Sequence, residues 1–123
     1  MQKPVRVVLI DEAEREFKRL NDIVGLQLKN GKENTDEMQL LKSIRQKIDF
    51  IKANPFYGEN VQKELIPKEY FDKYNASNLF RVELSQFWRM IYTVKGDQIE
   101  IICFVLDILS HPDYNKKFGY RKK

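Results

Sequence analysis

The chain has 123 residues, 42% hydrophobic and 33% charged, with a formal net charge of +4. That length and apolar content suffice for one core, so a single domain over 1–123 is expected. No apolar run approaches the roughly 20 residues that span a bilayer, and the start, Met1-Gln2-Lys3-Pro4-Val5, lacks the apolar stretch of a secretory signal, which together predict a cytoplasmic protein. The one cysteine, Cys103, lies inside Ile101-Ile102-Cys103-Phe104-Val105 and reads as a small buried apolar residue, which leaves no intrachain disulfide or zinc site.

Val5 to Ile10 is apolar and rich in β-branched residues, and predicts a first strand. Asp11 with Glu14 three residues on reads as a capping box, and Ala13, Phe17, Leu20 and Val24 recur at helical spacing, predicting a helix from 11 to 29 that Asn30-Gly31 ends. A second helix over 35–53 follows from Asn34 or Thr35 as cap and the stripe Met38, Leu41, Ile44, Ile48 and Ile51, with Asn54-Pro55 as its stop. Val61 to Ile66 reads as a short strand, and Pro67 to Asn78 as a polar and aromatic connection with room for a helical turn. Tyr70 and Tyr74, four apart, would share one face of such a turn.

Leu79 to Leu84 and Trp88 to Val94 follow as strands joined by Ser85-Gln86-Phe87, and Lys95-Gly96-Asp97 turns the chain into a third, Ile99 to Leu106. The last is almost wholly apolar and is expected to be buried on both faces. The result is an α+β fold: an N-terminal strand, then a two-helix hairpin packed on a mostly antiparallel sheet of about four or five strands. Phe17, Leu20, Ile44, Ile48, Val82, Met90, Tyr92 and Phe104 are expected to be buried together.

Strand parity puts Leu79, Arg81 and Glu83 on one side of the sheet, and Arg89 with Ile91 and Thr93 opposite Met90, Tyr92 and Val94. Residues 108–123 hold five Lys+Arg and one Asp, which equals the whole formal excess and makes 112–123 a basic tail. Cationic side chains on a sheet, beside His111 and Tyr114, suit a phosphodiester, and RNA is the first substrate to consider. RNA carries its own nucleophile: cleavage needs the 2′-hydroxyl aligned with the phosphate, a base, an acid and a cation for the developing charge. Histidine is the side chain that ordinarily changes charge near neutral pH, so His111 suits proton transfer as base or acid; Arg89 suits charge stabilisation, and no metal or other cofactor is required.

The order strand, helix, helix and meander, together with Trp88-Arg89-Met90-Ile91-Tyr92-Thr93-Val94, resembles the RelE/ParE toxin superfamily. Ser110-His111-Pro112-Asp113-Tyr114-Asn115-Lys116 is similar to the terminal segment of its HigB-type members. The resemblance implies a small sheet on a helical hairpin, neutralisation by a cognate antitoxin and, for many members, cutting of messenger RNA on the ribosome. It implies that Arg89 contacts the scissile phosphate, that Arg81 supports it, and that His111 and Tyr114 serve proton transfer or base stacking. Lys63 is similar to the lysines that precede the arginine strands, and Lys116, Lys117 and Arg121 would add phosphate contacts. ParE-type members, which act on DNA gyrase, give an alternative, and a catalytically silent interaction module gives another.

Plain structural roles compete at most of these positions. Arg81 and Glu83 can form a surface ion pair of little worth. Tyr92 and Trp88 suit the core. The Asp11/Glu14 and Glu33/Asp36/Glu37 groups read as helix caps and not as metal ligands.

Overall fold

The structure, a computed structural model, describes residues 3–119. Strand β1, Val5–Leu9, leads into helix α1, Asp11–Lys29. Ile10 is the N-cap of α1 and no side chain caps it, so the expected capping box does not form. Asp11 instead takes a left-handed φ of 47°, and its carboxylate accepts a hydrogen bond from the Tyr74 hydroxyl at 3.0 Å. Asp11, Glu12 and Glu14 still lie in the first turn, where negative charge complements the helix dipole. Helix α2, Asp36–Ala53, starts as expected, with Thr35 Oγ1 accepting from the Met38 amide at 3.1 Å.

Four more strands follow: β2 Glu59–Asn60, β3 Phe80–Glu83, β4 Arg89–Gly96 and β5 Ile101–Leu109. They form one five-stranded sheet in the order β1-β5-β4-β3-β2. Only β1 and β5 run parallel; the other neighbours are antiparallel, and β5 lies inside the sheet as its apolar sequence predicts. The segment Val61 to Ile66 is not a strand. Pairing stops at Asn60, and a 3-10 turn at Lys63–Leu65 leaves Leu65 exposed while delivering Ile66 to the interior. The connection after it contains helix α3, Lys68–Tyr74, with Tyr70 buried and the Tyr70 and Tyr74 rings 6.5 Å apart.

The helical hairpin packs Ala13, Leu20, Ile44 and Ile51 against Val82, Met90, Tyr92, Cys103 and Val105. Full burial of one such aliphatic side chain contributes about 1.5–3 kcal/mol. Phe17 and Ile48 sit at the margin of this core, only partly buried. Phe104 does not join it. It faces the other side of the sheet, where Tyr70, Leu79, Ile91, Leu106 and Tyr114 form a second cluster. An unbroken apolar strand gives no parity signal, so its phase is invisible in sequence.

A register shift between β4 and β5 sets the second face. Ile91 pairs with Asp107 and Tyr92 with Val105, which makes Leu106 the extra residue of a bulge. Without it, Asp107 would follow Cys103 and Val105 into the hairpin core. With it, Asp107 turns to the opposite face and Ile108 takes the core position. Beyond β5, the basic segment is a helix, α4, His111–Phe118, and not the tail read from charge alone. Ser110 caps it by accepting from Asp113, and Gly119 ends it at a left-handed φ of 69°.

Candidate functional site

Parity carries Arg81 and Arg89 to the sheet face opposite the hairpin, and register brings them close: Arg81 pairs with Ile91, two residues along β4 from Arg89. Helix α4 crosses this face and sets Tyr114 over both. The Arg89 Cζ lies 5.0 Å from the Tyr114 ring centroid and the Arg81 Cζ 5.7 Å from it. Arg81 Nη1 donates to the Tyr114 hydroxyl at 2.5 Å. Tyr114 is 1% exposed and stacks on Phe118 at 4.5 Å. The resemblance implied proton transfer or base stacking for Tyr114; the structure sets its buried ring against both arginines, where it orients them.

Both arginines have an exposed acidic neighbour. Arg81 is ion-paired to Glu59 across the β2–β3 pairing, and Arg89 Nη2 lies 4.0 Å from Glu83. The arginine side chains are 20% and 14% exposed, their carboxylates 66% and 75%. The cations are therefore the buried partners and the anions the exposed ones, so an incoming anion competes with side chains that water already solvates. Arg89 Nη1 also donates to the Phe87 carbonyl, whereas its Nε–H is buried with no acceptor among the described residues. Glu83 thus neighbours Arg89, and Arg81 pairs with Glu59.

His111 is exposed at the first turn of α4. Its ring centroid lies 6.0 Å from that of Phe87, and Nε2 is 3.4 Å from the Asn115 amide. Phe87 thus touches Arg89 through its carbonyl and His111 through its ring. Gln86 and Phe87 both adopt left-handed backbone, at φ 53° and 64°, a conformation costing bulky residues on the order of 1–3 kcal/mol each. Sequence reading passed over Phe87 because a three-residue connection between strands carries no periodicity.

The basic residues divide. Lys117 is committed to structure: its ammonium bridges Glu69 at 3.0 Å and the buried Asp107 at 3.2 Å. Burial lowers its pKa, but the two carboxylates outweigh that and raise it above the usual lysine value. Asp107 also accepts from the Tyr70 hydroxyl at 2.7 Å, and burial followed by that carboxylate pushes the Tyr70 pKa strongly up. Lys116 is exposed on α4, and Arg121 lies outside the described residues. Lys63 is exposed on its 3-10 turn; its neighbours Gln62 and Leu65 line a cleft of about 190 Å³ that reaches Glu59, Arg81, Tyr114 and Phe118. A larger groove of about 560 Å³ follows β1 and α1 past Val7, Leu9, Phe17 and Lys18, and brings no histidine or arginine together. Among the described residues no group of three or more His, Cys, Asp or Glu side chains has the geometry to hold a metal ion. Among them, too, no helix is long and apolar enough to cross a membrane.

A solved structure described as a YoeB/ParE toxin from Agrobacterium tumefaciens is similar to this chain with a TM-score of 0.56, covering 86% of this chain and 98% of its own at 14% sequence identity. No protein-family model matches the chain, and no curated protein sequence matches it. What is shared with that toxin structure is therefore the fold.

Proposed function

We propose that the protein is a toxin-like endoribonuclease of a toxin–antitoxin pair, cleaving ribosome-bound messenger RNA in the cytoplasm. The observation that carries this reading is the convergence of Arg81 and Arg89 on Tyr114, beside the solvent-facing His111. Two fixed guanidinium groups suit the charge that develops on a phosphodiester under attack. In the step proposed, a base takes the 2′-hydroxyl proton and the 2′-oxygen bonds to phosphorus. The bond to the 5′-oxygen breaks and an acid protonates that leaving oxygen, giving a 2′,3′-cyclic phosphate and a 5′-hydroxyl. His111 performs one of the two proton transfers. Tyr114 is a positioning residue that orients both arginines. The cognate antitoxin would place acidic side chains over this basic site.

Arg89→Ala should slow cleavage by about 10²–10³-fold, the scale for loss of one preorganised charge stabiliser. His111→Ala should slow it by about 10²–10⁴-fold and alter its pH profile. Induced expression with mapping of RNA 5′ ends reads both, and a DNA-supercoiling assay on the same cells separates gyrase inhibition. Full cleavage by the folded, nuclease-free double variant would refute the site. Supercoiling loss without new 5′ ends would favour the gyrase-directed alternative, and neither effect would favour the silent module.

A further inference from the structure

We propose that Phe87 is a stacking platform for the nucleobase next to the phosphate on Arg89, an inference that rests on the phosphodiester reading of the site. Phe87 is 72% exposed, although a phenyl ring gains nothing from water. Two other exposed aromatics have carbocyclic partners: Phe56 lies 5.8 Å from Phe80 and Tyr57 5.2 Å from Phe50. The ring partner of Phe87 is His111. Its own carbonyl accepts from Arg89, so the position of the ring and the position of the cation are fixed by one residue.

The loop that presents this ring is held, not loose. Leu84 donates to the Trp88 carbonyl at 2.8 Å and Trp88 to the Ser85 carbonyl at 3.2 Å. Helix α2 pins it from below, with the Ser85 amide donating to Ser43 Oγ and the Gln86 side-chain amide to Gln39 Oε1, each at 3.1 Å. Two successive left-handed residues without glycine are an observed outlier, and outliers of this kind cluster at ligand clamps. A single rigid aromatic with a guanidinium and an imidazole beside it fits a planar base bearing a phosphate, a ligand with one π-face and one charge. A protein partner would call for a broader apolar patch.

The test uses the full-length protein and a 2′-O-methyl RNA oligonucleotide, which lacks the nucleophile, with 2-aminopurine at successive positions. Wild type should quench one position selectively. Phe87→Leu should lose that quenching and about 5- to 100-fold in affinity, with its salt slope unchanged because no phosphate contact is touched; Phe87→Trp should retain both. Phe87→Asn adds a signature that a merely structural role lacks: asparagine tolerates left-handed backbone, so the thermal midpoint should rise while quenching is lost. If wild type shows no salt-dependent RNA binding, the phosphodiester reading fails and takes this proposal with it. If wild type binds and Phe87→Leu binds and quenches like it, the stacking role alone is overturned; loss of antitoxin binding with RNA binding intact would overturn it likewise, moving Phe87 to a protein interface.

Discussion

Tyr92 shows how one side chain ties the core to the site. Its ring is fully buried among the hairpin residues, yet its hydroxyl reaches the loop after α2, donating to the Pro55 carbonyl at 2.8 Å and accepting from the Gly58 amide at 2.9 Å. Gly58 is closely approached there: a Cβ would meet the Tyr92 ring at 3.0 Å and the Arg81 carbonyl at 3.1 Å, so its neighbours would have to give by a few tenths of an ångström. The next residue is Glu59, the partner of Arg81, so Tyr92→Phe should both destabilise the fold and loosen that ion pair. Leaving two backbone groups unpaired costs about 1–3 kcal/mol, readable as a shift in urea midpoint. Burial pushes the Tyr92 pKa up to about 12, against a smaller opposing effect of the Gly58 amide, and burial pushes Cys103 to about 11. A raised pKa favours the protonated form in the folded state, so this stability is present below the ordinary phenol value of about 10 and is lost as pH rises through 12. Tyr92→Phe should flatten the alkaline fall in stability between those limits, and an unchanged profile would count against the assignment. Parity made Tyr92 legible as core and Arg81 and Arg89 as a shared face, because their strands alternate. The partners of the Tyr92 hydroxyl, and the burial of Tyr114, depend on loops and on a helix docked from elsewhere.

At the scale of elements, the second face of the sheet was the least legible part of the fold. An apolar strand with one carboxylate, Leu106-Asp107-Ile108, is ambiguous in sequence: the charge can end the strand or mark a bulge. The structure takes the bulge, carries β5 on to Leu109, and meets Asp107 with Tyr70 from α3 and Lys117 from α4. The signals for α4 itself, a serine cap, a proline in the first turn and a terminal glycine, were present but overshadowed by its charge. Asp107 is the point to which both short helices are fastened. Lys117→Ala should therefore cost an appreciable part of the roughly 3–5 kcal/mol lost when a buried pair keeps only one partner, moderated by the partial exposure of the lysine. The double variant with Asp107→Asn should cost less than the sum, since no buried charge is then stranded. Additive losses in a chemical-denaturation cycle would mean the three groups do not act as a unit. On the proposed reading of the site, loosening α4 should also weaken RNA binding through Tyr114.

For the molecule as a whole, the order of the sheet explains why the candidate site belongs to the last third of the chain. β3 and β4 supply the arginines, β5 lies beside them, and α4 returns across the same face, so Tyr114 and His111 arrive last. Residues 108–123 carry the whole excess charge, and their two parts should separate in function. Deletion from residue 110 onward would remove Tyr114 and Phe118, expose Tyr70, Ile91 and Leu106, and abolish cooperative unfolding. Deletion of residues 120–123 removes Arg121, Lys122 and Lys123, lowering the formal charge from +4 to +1. The fold should survive it, with the same circular dichroism and urea midpoint as the full chain. If those cations meet RNA phosphates, affinity should fall most at low salt. With about 0.7 per phosphate contact for single strands, the slope of log affinity against log salt should shrink by up to about 2. An unchanged slope with unchanged low-salt affinity would make these residues a passive extension and leave the arginine pair as the source of RNA affinity.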